Sequence, residues 1–79
     1  MADKVDEALK PVIYTIAAGN KQRREGNFEA ARDLYEAAQH LLYALPEEIQ
    51  NDKRWYREMG YTVGCITTIV IFLKKKPTS

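Results

Sequence analysis

Few residues of this chain have types and spacings that could do chemistry. His40 is the only histidine and Cys65 the only cysteine. One imidazole and one thiol cannot make a zinc site of the usual composition. His40 lies one turn from Glu36, and a solvated surface pair is the favoured reading. Cys65 has no histidine at a predictable position to activate it, and its apolar setting reads as that of a small buried hydrophobe. Glu29, Asp33 and Glu36 stand at i, i+4 and i+7, on one face of a helix. That acidic row could receive a basic peptide, or could pair with Arg32 or with Lys21 and Arg24. Cations gather at Lys21, Arg23 and Arg24, at Lys53, Arg54 and Arg57, and at Lys74 to Lys76. No glycine-rich phosphate loop, metal-ligand cluster or catalytic dyad is present. The chain is expected not to be an enzyme, with no catalytic residue, metal or cofactor.

Aromatic residues are the more informative group. Trp55, Tyr56 and Tyr61 lie beside Arg54 and Arg57, the composition favoured at protein interfaces. Core and interface remain equally open for them. Lys plus Arg number 12 against 11 Asp plus Glu, a formal charge of +1. That balance speaks against a nucleic-acid binder, whose affinity comes mainly from neutralising phosphates. Lys74 to Lys76, which could also touch nucleic acid, are not interleaved with stacking aromatics.

These side chains must be positioned by helices. With 79 residues the expectation is one small domain, covering residues 1–79, with a single-layer core. Val5, Leu9, Val12, Ile13, Ile16 and Ala17 recur at steps of three and four, one face of a first helix over about 3–25. Asp3 is its cap, and Asp6 and Glu7 favour the positive end of its dipole. Pro11 removes a donor, so either a kink there or a helix beginning near it is expected. Gly26 fits the left-handed position after the last turn, and Asn27 the N-cap of a second helix over 28–45. The stripe of that helix is Ala31, Leu34, Ala38, Leu41, Leu42 and Leu45, widened by Phe28 and Tyr35. Pro46 ends it, Glu47 to Gln50 form one further turn, and Asn51 or Asp52 caps a third long helix over 53–74.

In that last helix Trp55, Met59, Val63, Ile66, Val70 and Leu73 follow helical steps. Residues 67–72 are rich in β-branched types, but about 20 residues without a turn signal exceed an ordinary strand. Gly60 and Gly64 share a face, expected to meet Ala17 and Ala38 of the neighbouring helices. The 13 residues from Tyr61 to Leu73 fall short of the roughly 20 that span a bilayer. Acidic residues stand where the positive region of a signal peptide belongs. Pro77 closes the domain.

Gly19, Gly26, Phe28, Ala31, Tyr35 and Ala38 carry a pattern that resembles the tetratricopeptide repeat (TPR), whose small and aromatic positions mark where two helices pack. The match spans roughly residues 15–45 and departs from the repeat at Thr15 and Tyr43. The lengthened second helix and the third long helix also resemble the three-helix microtubule-interacting-and-transport (MIT) domain. The residues concerned are Gly26 to Tyr35, Gln50-Asn51-Asp52-Lys53 and Leu73-Lys74-Lys75-Lys76. What the resemblance implies is a module that binds short tails, typically of membrane-remodelling ESCRT-III subunits, in grooves beside the third helix. The uncharged run Tyr61 to Leu73 departs from that family, whose third helix is polar outside.

The expected fold is therefore all-α: a three-helix antiparallel bundle, TPR-like or MIT-like. The expected function is a cytoplasmic adaptor that binds a helical segment or tail of another protein. Tyr35, Leu42, Trp55, Tyr56, Met59, Ile66 and Ile69 are the candidate partner-binding residues. Gly19, Gly26, Phe28, Ala31 and Ala38 are candidate packing positions, and Glu29, Asp33, Glu36, Arg54 and Arg57 candidate electrostatic contacts. The alternative is a structural subunit whose third helix is an obligate interface with a second copy or another chain. Burying about 400 Å² of apolar surface there would be worth roughly 10 kcal/mol before association costs. Peripheral membrane contact through Tyr61 to Leu73 and the lysines is the weakest reading.

Overall fold

The structure, a computed structural model, describes residues 3–75. Lys76 and Pro77 lie outside the described residues. Helix α1 spans Lys4–Arg24, α2 Phe28–Ala44, α3 Glu47–Gln50 and α4 Lys53–Lys75. The described residues contain no strand. The β-branched run of α4 is helical, and its threonines show how. Thr62, Thr67 and Thr68 each donate a hydroxyl proton to the carbonyl four residues back, at 2.7, 2.9 and 2.9 Å. A threonine satisfied in this way can stay in a helix, even inside the core.

The helix ends obey local chemistry. Asp3 Oδ1 accepts from the Asp6 amide at 2.9 Å and caps α1. Pro11 does not start that helix: α1 runs through it from Lys4. At the far end the Asn27 amide reaches the Gln22 carbonyl at 2.9 Å and the Gly26 amide the Arg23 carbonyl at 3.0 Å. This Schellman motif needs a left-handed residue, and Gly26 has φ of 84°. Asn27 does not cap α2 with its side chain; its Nδ2 donates to Gln22 Oε1 instead, tying the turn shut. Asp52 does cap α4, accepting from the Arg54 amide at 2.9 Å.

The last carbonyls of α2 are satisfied from a distance. Trp55 Nε1 donates to the Leu42 carbonyl at 2.8 Å, and Gln50 Nε2 reaches the carbonyls of Tyr43 and Leu45.

Two helix hairpins share α2. Its start meets the end of α4, where Phe28 stacks on Phe72 with centroids 5.7 Å apart. Its end meets the start of α4 through Trp55. The core is Leu9, Val12 and Ile16 of α1, Ala31, Tyr35, Ala38 and Leu42 of α2, and Trp55, Cys65 and Ile69 of α4, with Ile49 below and Thr62 in its middle. The buried stripes are thus turned from the expected ones. On α2 the centre is Tyr35, while Leu41 is exposed; on α4 it is Thr62, Cys65 and Ile69, while Val63 is exposed. Gly19 is buried because the Tyr35 ring lies against it: a Cβ there would stand 2.7 Å from Cε1. Gly60 and Gly64 do not meet Ala17 or Ala38, since a Cβ on either would have nothing within 4 Å.

Candidate functional site

Helices α1 and α4 touch sparingly, and the space between them is a groove. Two adjoining cavities of about 330 and 310 Å³ share Ile13, Arg57 and Glu58. The upper one adds Ile16, Ala17, Asn20 and Tyr61; the lower one adds Asp6, Leu9, Lys10 and Arg54. Ile13 and Tyr61 form its rims at 46% and 50% exposure. Ile16 and Leu9, both core residues, form its floor. The apolar arc of α1 is wider than its contact with α2, which is why Ile13 and Ala17 are left facing the groove.

At the lower end of the groove Arg54 locks the starts of α1 and α4 together. Its guanidinium donates to Asp3 Oδ2 at 2.9 Å, to Asp6 Oδ1 at 3.1 Å and to Asp52 Oδ1 at 3.0 Å. The Arg54 side chain, followed by its amide, lowers the pKa of Asp52 to about 2. Asp3 is lowered as well, first by the Asp6 amide and then by Arg54, and Arg54 itself is held above its ordinary value. A fork-shaped cation with several donors suits such a junction.

Above the groove floor runs a polar chain. Tyr35, fully buried, donates its hydroxyl proton to Asn20 Oδ1, and Asn20 Nδ2 donates to the Tyr61 hydroxyl at 3.2 Å. Burial raises the pKa of the Tyr35 phenol above its usual value.

The residues singled out in sequence fall into distinct places. Tyr35, Leu42 and Ile69 are at 0% exposure and Trp55 at 6%. They hold the helices together and are not accessible to a partner in this conformation. Met59 and Ile66 are half-buried against the same core, and Tyr56 is exposed, edge-on to Trp55 with Tyr43 nearby. Gly19, Ala31 and Ala38 are packing positions, Phe28 is half-buried, and Gly26 forms the turn. Arg54 is occupied internally, whereas Arg57 faces the groove. Glu29, Asp33 and Glu36 are exposed; Asp33 lies 3.9 Å from Arg32, and among the described residues no ion pair joins the row to Lys21 or Arg24. Cys65 is buried and free. Among the described residues no group of three metal-ligating side chains occurs, and no helix is long and apolar enough to cross a membrane.

Sequence reasoning missed Ile13, Asn20 and Tyr61 as a set. A signal existed in part: Arg57 and Tyr61 are four apart, and Ile13 and Ala17 are four apart, so each pair shares a face. Their meeting across 41–48 residues of chain had no local signal. No family model, curated protein or solved structure matches the chain.

Proposed function

We propose that the chain is a non-catalytic protein-interaction module that holds a helical or tail segment of a partner between α1 and α4. The observation that carries this reading is the continuous groove with an apolar floor and exposed apolar rims. Pockets for partner segments combine an apolar floor with a few polar groups at the edge. The pairing of helix ends described above supports the finer architecture, a three-helix antiparallel bundle of the TPR-like or MIT-like kind. A place in membrane trafficking rests on that resemblance alone.

A random 16-residue peptide library displayed on phage, selected against the whole chain, tests the reading. Enrichment of peptides that no longer bind Ile13→Asp is expected. Enriched peptides indifferent to that change, or no enrichment, would contradict it.

One observation favours a second reading. Gly60, Val63, Gly64, Thr67 and Ile71 form an exposed, uncharged stripe on the outer side of α4. As the interface of a structural subunit it would seat a second copy, and sedimentation across a concentration series would then give a dimer mass that Gly64→Leu reduces to a monomer.

A further inference from the structure

The occupant of the groove can be specified further by accounting for its charges and hydrogen-bond donors; this step rests on the groove being the binding site. Arg54 is consumed by Asp3, Asp6 and Asp52. Lys10 is engaged by Glu7 at 3.1 Å. Among the described residues neither Arg57 nor its neighbour Glu58 makes an ion pair, so the Arg57 guanidinium stands at the junction of the two cavities as a free donor, with Glu58 next to it in sequence.

The second donor follows from the polar chain. The buried Tyr35 hydroxyl donates to Asn20 Oδ1. That fixes the amide of Asn20 with Nδ2 toward Tyr61, so the Tyr61 oxygen accepts. The hydroxyl proton of Tyr61 must then point away from Asn20, and among the described residues it has no acceptor. Tyr61 is half exposed and lines the same cavity as Arg57, one helical turn away. Two donors on one wall, above an apolar floor, ask for an acceptor carried beside an apolar side chain. Glu58 lines both cavities as well, three residues before Tyr61, so a bound carboxylate has to sit closer to the Arg57 guanidinium and the Tyr61 hydroxyl than to Glu58, which would repel it.

We infer that the groove takes an acidic amphipathic segment of a partner protein, its apolar anchor between Ile13 and Ala17 and a carboxylate received by Arg57 and the Tyr61 hydroxyl. A carboxylate matches both donors at once, and a charge-assisted bond of this kind is the stronger class. Both side chains reach solvent, so changing them leaves the core intact.

The test selects the same displayed library in parallel on wild type, Arg57→Gln and Tyr61→Phe, with melting curves to show that all three are folded. Expected on wild type are peptides with Asp or Glu one turn from an apolar anchor, binding about tenfold tighter at physiological salt than their Asn or Gln counterparts. Either variant should erase that ratio while leaving the amide peptides bound as before. Peptides that require Ile13 but show no acidic preference would overturn this inference and leave the groove reading standing. Peptides indifferent to Ile13→Asp would overturn both.

Discussion

At the scale of single residues, close packing and one charge junction decide the outcome. Gly19 sits in a helix interior, where alanine is ordinarily better by about 1 kcal/mol. Here the added methyl would stand 2.7 and 2.8 Å from two carbons of the Tyr35 ring, and that ring is held in the core by its bond to Asn20. Overpacking costs typically about 1–3 kcal/mol, so Gly19→Ala should lower stability by about 1–2 kcal/mol in urea titration. An unchanged or raised midpoint would mean the ring can move aside. Trp55→Phe removes the donor to the Leu42 carbonyl, a buried acceptor, and should cost about 1–3 kcal/mol; a smaller loss would mean that the Leu45 amide, 3.4 Å away, suffices. Asp52 sets an acid limit. Its folded pKa, about 2, lies below the ordinary 3.8, so the stability it contributes is present above 3.8 and disappears as pH falls toward 2. The melting temperature should therefore drop across that window, and Asp52→Asn should flatten the drop.

At the scale of elements, α4 has two different sides. Its inner side is fixed by Trp55, Thr62, Cys65 and Ile69, and its outer side carries Gly60 and Gly64 with open space around both. Gly60→Ala and Gly64→Ala should each stabilise the helix, by about 0.5–1 kcal/mol. The same changes would weaken self-association if a second copy packed closely on that stripe, so stability and sedimentation measured together separate the two roles. The elements were largely legible in sequence. Gly26, Pro46 and Asp52 place the breaks within a residue or two of where they fall, because turn and cap chemistry is local. The direction of the α4 stripe was not legible. Its apolar residues surround nearly the whole helix, so periodicity points nowhere in particular. Thr62 can sit on the buried side because its hydroxyl is satisfied by the Glu58 carbonyl. Tyr35 was misplaced to the edge of α2 for a related reason: its fit against Gly19 is a contact between helices.

At the scale of the whole molecule, the described helices extend from a single small core, with a Cα radius of gyration of 13.8 Å and extents of 50 × 20 × 16 Å. A body so thin leaves α1 and α4 each covered on one side, and the groove between them is the consequence. Arg54 holds the starts of these two helices together, so it sets the groove's width at its lower end; Arg54→Met should lower stability and weaken peptide binding together, whereas Arg57→Gln should change binding alone. The candidate site was less legible than the fold because it is built from Ile13, Asn20, Arg57 and Tyr61, which meet only after two chain reversals. The most direct measurement is a backbone-amide NMR titration of the whole chain with a peptide taken from the displayed library. Expected are shifts concentrated at Ile13, Ala17, Asn20, Arg57 and Tyr61, with the core amides of Ala31 and Ala38 unmoved. Shifts confined to Gly60, Val63, Gly64 and Thr67 on the outer side of α4 would contradict the groove as the binding site.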